Sequence, residues 1–377
     1  MGVVTEHNTR PLTVLALNCG SSSLKFGLYE CGENGIKLIC EGEAEEIGRE
    51  NSGFWVNAPG SGDPNHKEQI PLPDHKTALE RAVDALKARG APEPEAIGHR
   101  IVHGGPKVRV HQRATARVIE ELRAAVPFAP LHVPQALSVL EATQNLMPGA
   151  AQVICLDTAF HRTMPDVGKT FALPREIRDM GVERYGFHGL SLESILAQLD
   201  SVPARLIVAH LGNGASITAI HNGYSIDTTM GLTPTGGVMM GTRCGDLDPG
   251  IALYLMRQST ADAGQLEEIF DLHSGLLGVS GKGSDVRELI ESRKQDAQAD
   301  LALRMFCYQV RKAIAAMAAA LGGIDSVVLT GGIGEHATAL REEICAGLEF
   351  LGHFDIRVLR SQEDLQIARI TAEIIRS

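Results

Sequence analysis

Two segments of this chain, half a chain apart, share one plan. Residues 15–26 read LALNCGSSSLKF and residues 207–218 read IVAHLGNGASIT. Each is an apolar strand, a small polar turn holding glycine, and a second strand. Glycine and serine add little bulk, so such a turn lets backbone N–H groups close on an anion. A plan that occurs twice predicts a duplicated domain, with phosphate held between the halves.

Composition narrows the field. At 377 residues the chain can bury a large core and suggests two to three domains. Glycine is abundant, 40 residues, and falls in clusters, as tight functional loops require. The net charge of −11 argues against a nucleic-acid binder. It leaves an anionic substrate open, because a local arginine cluster or a metal overrides the global sign. The seven cysteines (Cys19, Cys31, Cys40, Cys155, Cys244, Cys307, Cys345) form no C-x-x-C pair, and their number is odd. They read as reduced cytosolic thiols. Met1 to Arg10 is polar and lacks the apolar centre of a signal peptide, and no run of about 18 apolar residues occurs. The expectation is a cytoplasmic protein with no membrane partner.

Along the chain, 12–41 reads as three short strands and 49–74 as a loop or β-hairpin region. Residues 75–89, 116–126 and 135–145 read as helices, the last starting after Pro134, with strands at 96–99 and 152–156 between them. The second half repeats the plan. Strands fall at 204–211, 215–221 and 224–228, helices at 249–258, 264–272, 284–294 and 299–321, a strand at 325–330, and a last amphipathic helix at 365–375. Strands first, then β/α alternation, in both halves argues an α/β fold with two similar domains.

Familiar phosphate signatures are missing. Gly281-Lys282-Gly283 ends like a P-loop, but Leu276 stands at the first glycine and Gly283 at the Ser/Thr. Gly331-Gly332-Ile333-Gly334 is not G-x-G-x-x-G, and no G-x-S-x-G or H-E-x-x-H occurs. What stands out is polar density at strand ends, where α/β proteins bind ligands. G-H-R-I-V-H-G-G (98–105), D-T-A-F-H (157–161), Y-G-F-H-G (185–189) and M-M-G-T-R-C-G-D-L-D-P-G (239–250) are such segments.

Together with N-C-G-S-S-S-L-K-F, A-P-L-H, H-L-G-N-G-A-S and G-G-I-G-E, these segments fall in the family's order from about Thr13 to Arg376 and resemble the acetate kinase family of the sugar-kinase/heat-shock-70/actin superfamily. The resemblance implies two duplicated ribonuclease-H-like (actin-like ATPase) domains with an interdomain active-site cleft. Their expected bounds are 11–157 plus 365–377, and 158–364. The implied reaction is reversible phosphoryl transfer from ATP to acetate, with propionate or another short carboxylate as the alternative substrate. ATP/ADP would serve as substrates with Mg²⁺, or Mn²⁺, as the metal, and the protein would be a homodimer.

The resemblance also assigns roles. Arg100 and Arg243 would hold the carboxylate and the transferring phosphoryl group, and His188 and Arg243 would stabilise the transition state. Asp157 would help arrange the site and the metal, with Asn18 and Glu363. Asn18, Ser21, Ser23 and Lys25 would line the first phosphate turn; His210, Leu211, Gly212, Asn213 and Gly214 the second. Asp285, Val286 and Arg287, with Gly331, Gly332, Ile333, Gly334 and Glu335, would hold the nucleotide. Val102, Leu131, Phe187 and Pro234 match the pocket for the substrate methyl. His132 reads equally as a functional or a supporting histidine, and His161 as structural.

The chain departs from the family pattern at Val133 (in L-H-N-P), at Leu190 and Leu192 (in Y-G-F-H-G-T-S-H), at Thr235 and Gly236 (in T-P-L-E-G) and at His336 (in G-I-G-E-N). T-N-E-E-L becomes S-Q-E-D-L at 361–365, and the preceding stretch reads as a trimmed surface hairpin. Val133, Thr235 and Gly236 are expected to alter the pocket mouth or the dimer contact. A superfamily ATPase working as a conformational switch is the competing reading. It would need no carboxylate pocket, so Arg100, Arg243 and Phe187 favour the kinase. A dead relative would have lost Asp157, Arg100, Arg243 or His188, and all four are present.

Overall fold

Apolar strands buried on both faces organise the chain into two sheets. The protein is described here from a computed structural model, over residues 10–59, 67–258 and 261–377. The expectations for residues 1–9 and for the 60–66 part of the 49–74 loop lie outside the described residues. The chain forms two compact units, one running up to Ala159 and taking back Gln362–Ser377, the other Phe160–Ser361.

The first unit holds β1 (Leu12–Cys19), β2 (Ser23–Gly32), β3 (Gly35–Glu45), β4 (Ser52–Asn57), β5 (Glu68–Ile70), β6 (Ala96–Ile101), β7 (Gln112–Arg113) and β8 (Ala151–Leu156), in the order β5-β4-β3-β2-β1-β6-β8-β7. Helices α1 (His75–Ala88), α2 (Ala116–Ala124) and α3 (Val133–Leu146) pack around it, with the C-terminal helix Glu363–Arg376 lying against β1, β2, β6 and β8. Gly98 admits that helix, since a Cβ there would fall 2.2 Å from Thr371 Oγ1 and 2.6 Å from Ile367 Cγ2. Helix α3 starts two residues before the sequence reading. Pro134 sits inside its first turn, where a missing N–H costs nothing.

The second unit holds α4 (Asp166–Lys169), α5 (Arg175–Arg178), α6 (Gly189–Leu196), β9 (Arg205–Leu211), β10 (Ala215–His221), β11 (Tyr224–Thr228), α7 (Pro249–Arg257), α8 (Ala263–Leu272), α9 (Gly275–Ser280), α10 (Val286–Ser292), α11 (Ala297–Leu321), β12 (Ser326–Thr330), α12 (Gly331–His336), α13 (Thr338–Cys345) and β13 (Asp355–Val358). Its sheet runs β11-β10-β9-β12-β13. The pairing repeats that of β3-β2-β1-β6-β8: two antiparallel steps, then two parallel ones. This is the predicted duplication. Helix α11 is 25 residues long, capped by Asp296, whose carboxylate accepts from Gln298 N and Ala299 N, and by Gly322 at φ 68°.

One expectation fails. The stretch before Glu363 is not a hairpin but α13 followed by β13, parallel to β12. Leu340 and Ile344 are buried at a spacing of four within α13, and Leu348 is buried just past its end. Among the described residues no helix is long and apolar enough to cross a membrane.

Candidate active site

In the first unit the functional side chains hang from the ends of β1, β6 and β8. Antiparallel register sets Asn18 opposite Lys25, so the two share a face. Parallel register carries Arg100 beside Cys155, two residues before Asp157. Arg100 donates from Nε and Nη2 to Asp157 Oδ2 (2.9 and 2.6 Å) and from Nη1 to Asn18 Oδ1 (3.0 Å). The Asn18 amide in turn donates to Glu363 Oε2 and Asp364 Oδ1, both at 3.0 Å. Burial alone would lower the Arg100 pKa, but the Asp157 and Glu363 carboxylates outweigh it and raise it. Asp157 is 1% exposed, so this guanidinium is held by a buried carboxylate and stays charged. Burial, with the neighbouring Glu363, raises the Asp364 pKa against the Asn18 hydrogen bond.

The first phosphate turn is exposed at Ser21 and half-buried at Ser23. Gly20 N donates to Ser23 O (2.9 Å), and Gly20 O meets His75 Nε2 at 2.9 Å. His75, at the start of α1, thus holds the turn from below; nothing in the sequence pattern marked it. Lys25 stands 52% exposed, 3.9 Å from Glu43.

The second unit concentrates more. His210 on β9 lies opposite Ser216 on β10. His188 takes the left-handed conformation (φ 62°), rare for a residue with a side chain, just before α6. Its Nδ1 pairs with Ser216 Oγ (2.9 Å), and its ring stacks on His210 with centroids 4.2 Å apart. Arg243 Nη1 donates to Pro234 O (3.4 Å). All three groups close on the turn 212–214. A Cβ at Gly214 would lie 3.3 Å from His188 Nε2 and 3.4 Å from Arg243 Nη1, and one at Gly212 would lie 3.7 Å from His210 Nε2. The turn therefore needs glycine for proximity, and it presents an imidazole edge and a guanidinium to an anion.

Beside it opens a cavity of about 720 Å³, in the usual range for small-molecule sites. It gathers Gly212, Asn213, Asp285, Val286, Arg287, Gly332 and Ile333 from the predicted nucleotide set. The sequence reading missed Gly241, Ser284, Ile290, Glu291, His336 and Ala337 in its wall. Ile290 was findable, four residues after Val286 on one helix face. Asp285 caps α10 through Arg287 N (2.8 Å) and pairs with the Arg287 guanidinium (2.7 Å). Those bonds lower its pKa to about 2. Leu211, Gly331 and Gly334 are buried and do not line the cavity. Glu335 turns Oε1 away onto Gly331 N and Ser361 N, both at 3.1 Å.

Of the methyl-pocket set, Val102 and Leu131 lie in the first unit, and Phe187 and Pro234 in the second. Phe187 is anchored by His161, whose Nε2 donates to Phe187 O (2.9 Å) while Nδ1 accepts from Ser225 Oγ (2.8 Å). Burial lowers the His161 pKa to about 4, so it is a neutral structural histidine. His132 is half-buried, just before α3. Val133 is fully buried in the first unit's core, with Leu137 and Leu140. Leu190 and Leu192 are likewise core residues. Burial raises the thiols beside the site, Cys19 to about 12 and Cys244 to about 11, which leaves them unreactive.

Among the described residues no group of three or more His, Cys, Asp or Glu side chains could hold an ion alone. Mg²⁺ needs no such cage, since it binds through one or two carboxylates plus substrate phosphates. The carboxylates of Asp157, Glu363 and Asp364 are the hard oxygen donors it prefers. Asn18 meets the acids through its NH₂ and Arg100 through its oxygen, so here it ties them together.

The chain matches the acetokinase family model over residues 13–372. It is 43% identical over 352 residues to an acetate kinase of Rhodopseudomonas palustris, covering 90% of this chain and 87% of that one. It is 40% identical over 400 residues to an acetate kinase of Dictyoglomus turgidum, covering 97% and 98%. Among solved structures it resembles the acetate kinase of Porphyromonas gingivalis (TM-score 0.85, 37% identity, 97% of this chain and 100% of that one). A propionate kinase from Francisella tularensis superposes with TM-score 0.89 at 34% identity, covering 96% and 100%.

Proposed function

The chain belongs to the acetokinase family, and we propose that it transfers the γ-phosphoryl group of ATP reversibly to the carboxylate of acetate, giving acetyl phosphate and ADP. The observation that carries this reading is the closing of His188 and Arg243 on the Gly212–Gly214 turn, beside a cavity of nucleotide size.

The chemistry fits the residue types. A carboxylate nucleophile is already ionised near pH 7, so the site needs no strong general base. The difficulty is bringing one anion against another and spreading charge over the transferred group. Arg243 and His188 are donors aimed where that charge develops. Arg100, kept charged by Asp157, offers a half-buried cation to the carboxylate. The cavity wall of α10 and the Gly332–Ile333 segment holds the nucleoside side. In the second unit, phosphate oxygens meet the backbone of the Gly212–Gly214 turn, and the apolar Phe187 and Pro234 serve the methyl group. Glu363, with Asp157 and Asn18, would hold Mg²⁺, which would supply positive charge to offset that of the phosphates. A homodimer in the cytoplasm completes the reading, supported by family membership.

Propionate is the second substrate reading, favoured by the likeness to the Francisella propionate kinase. An acyl-hydroxamate assay with MgATP across acetate, propionate and butyrate decides between them. Acetate is expected to give the highest kcat/KM; product from none of the three acids would overturn the proposal. Arg243→Ala should lower kcat by at least about 10²-fold, the scale of a charge-stabilising donor.

A further inference from the structure

Behind the stacked imidazoles runs a chain of hydrogen bonds that no motif announced. Glu335 Oε1 accepts from Gly331 N and from Ser361 N, both at 3.1 Å. Ser361 Oγ donates to Ser191 Oγ (2.9 Å), and Ser191 Oγ meets His210 Nδ1 at 2.8 Å. A hydroxyl has one hydrogen. Ser191 receives the hydrogen of Ser361 and keeps its own to give. Ser191 is 0% exposed, so a hydroxyl hydrogen left without an acceptor there would be costly. His210 Nδ1 is the acceptor in place. It must then be the bare nitrogen, and Nε2 carries the hydrogen. Nε2 is the atom that faces the Gly212 turn, 3.7 Å from where a Cβ would stand.

We infer that Ser361 and Ser191 are positioning residues that hold His210 as its Nε2–H tautomer, with Glu335 fixing Ser361, so that His210 presents a donor and not a lone pair to the phosphate at the second turn. The inference rests on the proposed function only for what the donor serves. The tautomer itself follows from the hydrogen count. It also gives Glu335 a different task from touching the nucleotide. The carboxylate ties the Gly331 backbone to Ser361, the point where the chain leaves the second unit. The other tautomer would aim a lone pair at phosphate oxygens and weaken binding of every nucleotide alike, because the contact is to phosphate and not to the base. His188 also has a buried serine partner. Its Nδ1 meets Ser216 Oγ at 2.9 Å, and Ser216 is also 0% exposed.

The test is ¹⁵N NMR of histidine-labelled enzyme, with His210→Gln to assign the signals. The expected spectrum shows His210 with an unprotonated Nδ1 and a protonated Nε2 near pH 7.5, before any nucleotide is added. Protonation at Nδ1 would overturn the inference, whatever the enzyme's activity. Ser361→Ala and Ser191→Ala should each mix the two tautomers, raise the KM for both ATP and GTP about tenfold and leave the KM for acetate within twofold, the size of one hydrogen bond. Ser361→Thr, which keeps the hydroxyl, should restore the single tautomer and the KM. If both alanine variants fold, keep one tautomer and keep their KM for ATP, the serines only pack and the inference fails. Should the enzyme prove inactive on all carboxylates while the tautomer is as stated, the positioning chain stands and the proposed function falls.

Discussion

At Gly214 a single methyl group is enough to disturb two functional side chains. The glycine lies where a Cβ would press on His188 Nε2 and Arg243 Nη1 at 3.3 and 3.4 Å, closer than relaxed contact. Both atoms are the ends of side chains, so Gly214→Ala should fold and simply push them aside by a few tenths of an ångström. Misplacing catalytic groups by about 1 Å can cost 10²-fold, so a drop in kcat of roughly tenfold is expected, with the melting temperature almost unchanged. Kinetics and a thermal melt on the same sample check it. Full activity would mean that neither tip needs its present position. His188 adds to this sensitivity, because its left-handed backbone is itself strained. Gly189 opens α6 next to it and is buried, so the histidine is aimed by a sharp entry into the helix.

Elements locate these residues, and one close approach locks the first unit. The C-terminal helix reaches β6 only because residue 98 is glycine. Gly98→Val would drive its Cβ into Thr371 and Ile367, whose side chains are fully buried. Overpacking of this kind costs roughly 1–3 kcal/mol, and since the helix also carries Glu363, loss of stability should come with a higher requirement for Mg²⁺. Urea unfolding and an Mg²⁺ titration of the rate would show both; a stable variant with an unchanged titration would detach the helix from the site. Most of this architecture was legible in the sequence. The strands 205–211 and 326–330 are apolar on both faces, and the two glycine turns fall between strands, so pattern alone gave the duplication. The pairing of Asn18 with Glu363 and Asp364 spans 345 and 346 residues and follows no local rule, so only the resemblance pointed there. His75, Ser191, Ser216 and Ser361 were invisible for a related reason. Serines and a histidine at element ends look like ordinary caps until tertiary structure supplies their partners. The segment 338–358 failed because its helical stripe is short and its edge strand, β13, is exposed throughout.

The molecule as a whole carries an acid liability in each unit. His99 in the first and His161 in the second are both 2% exposed, and burial lowers each pKa to about 4. His99 Nε2 donates to Gln152 Oε1 (2.6 Å), and His161 bonds Phe187 O and Ser225, so both are neutral when folded. In the unfolded chain a histidine titrates near 6.5. Below that pH the unfolded state binds more protons, and stability falls with falling pH until the folded value near 4 is passed. At pH 5 each histidine should have removed about 2 kcal/mol, so about 4 kcal/mol together, which is much of the 5–15 kcal/mol typical of a folded protein. Buried carboxylates act in the other sense. Burial raises the pKa of Glu43, Asp227 and Asp364, and protonating them on acidification relieves their desolvation. They blunt the loss that the two imidazoles bring. Urea unfolding at pH 7.5 and pH 5 should therefore show a marked fall in midpoint. His99→Gln, in a site that already holds the Gln152 and Thr143 side chains, should flatten that fall by about 2 kcal/mol while lowering stability at pH 7.5. An equal fall in wild type and variant would mean that His99 does not set the acid sensitivity.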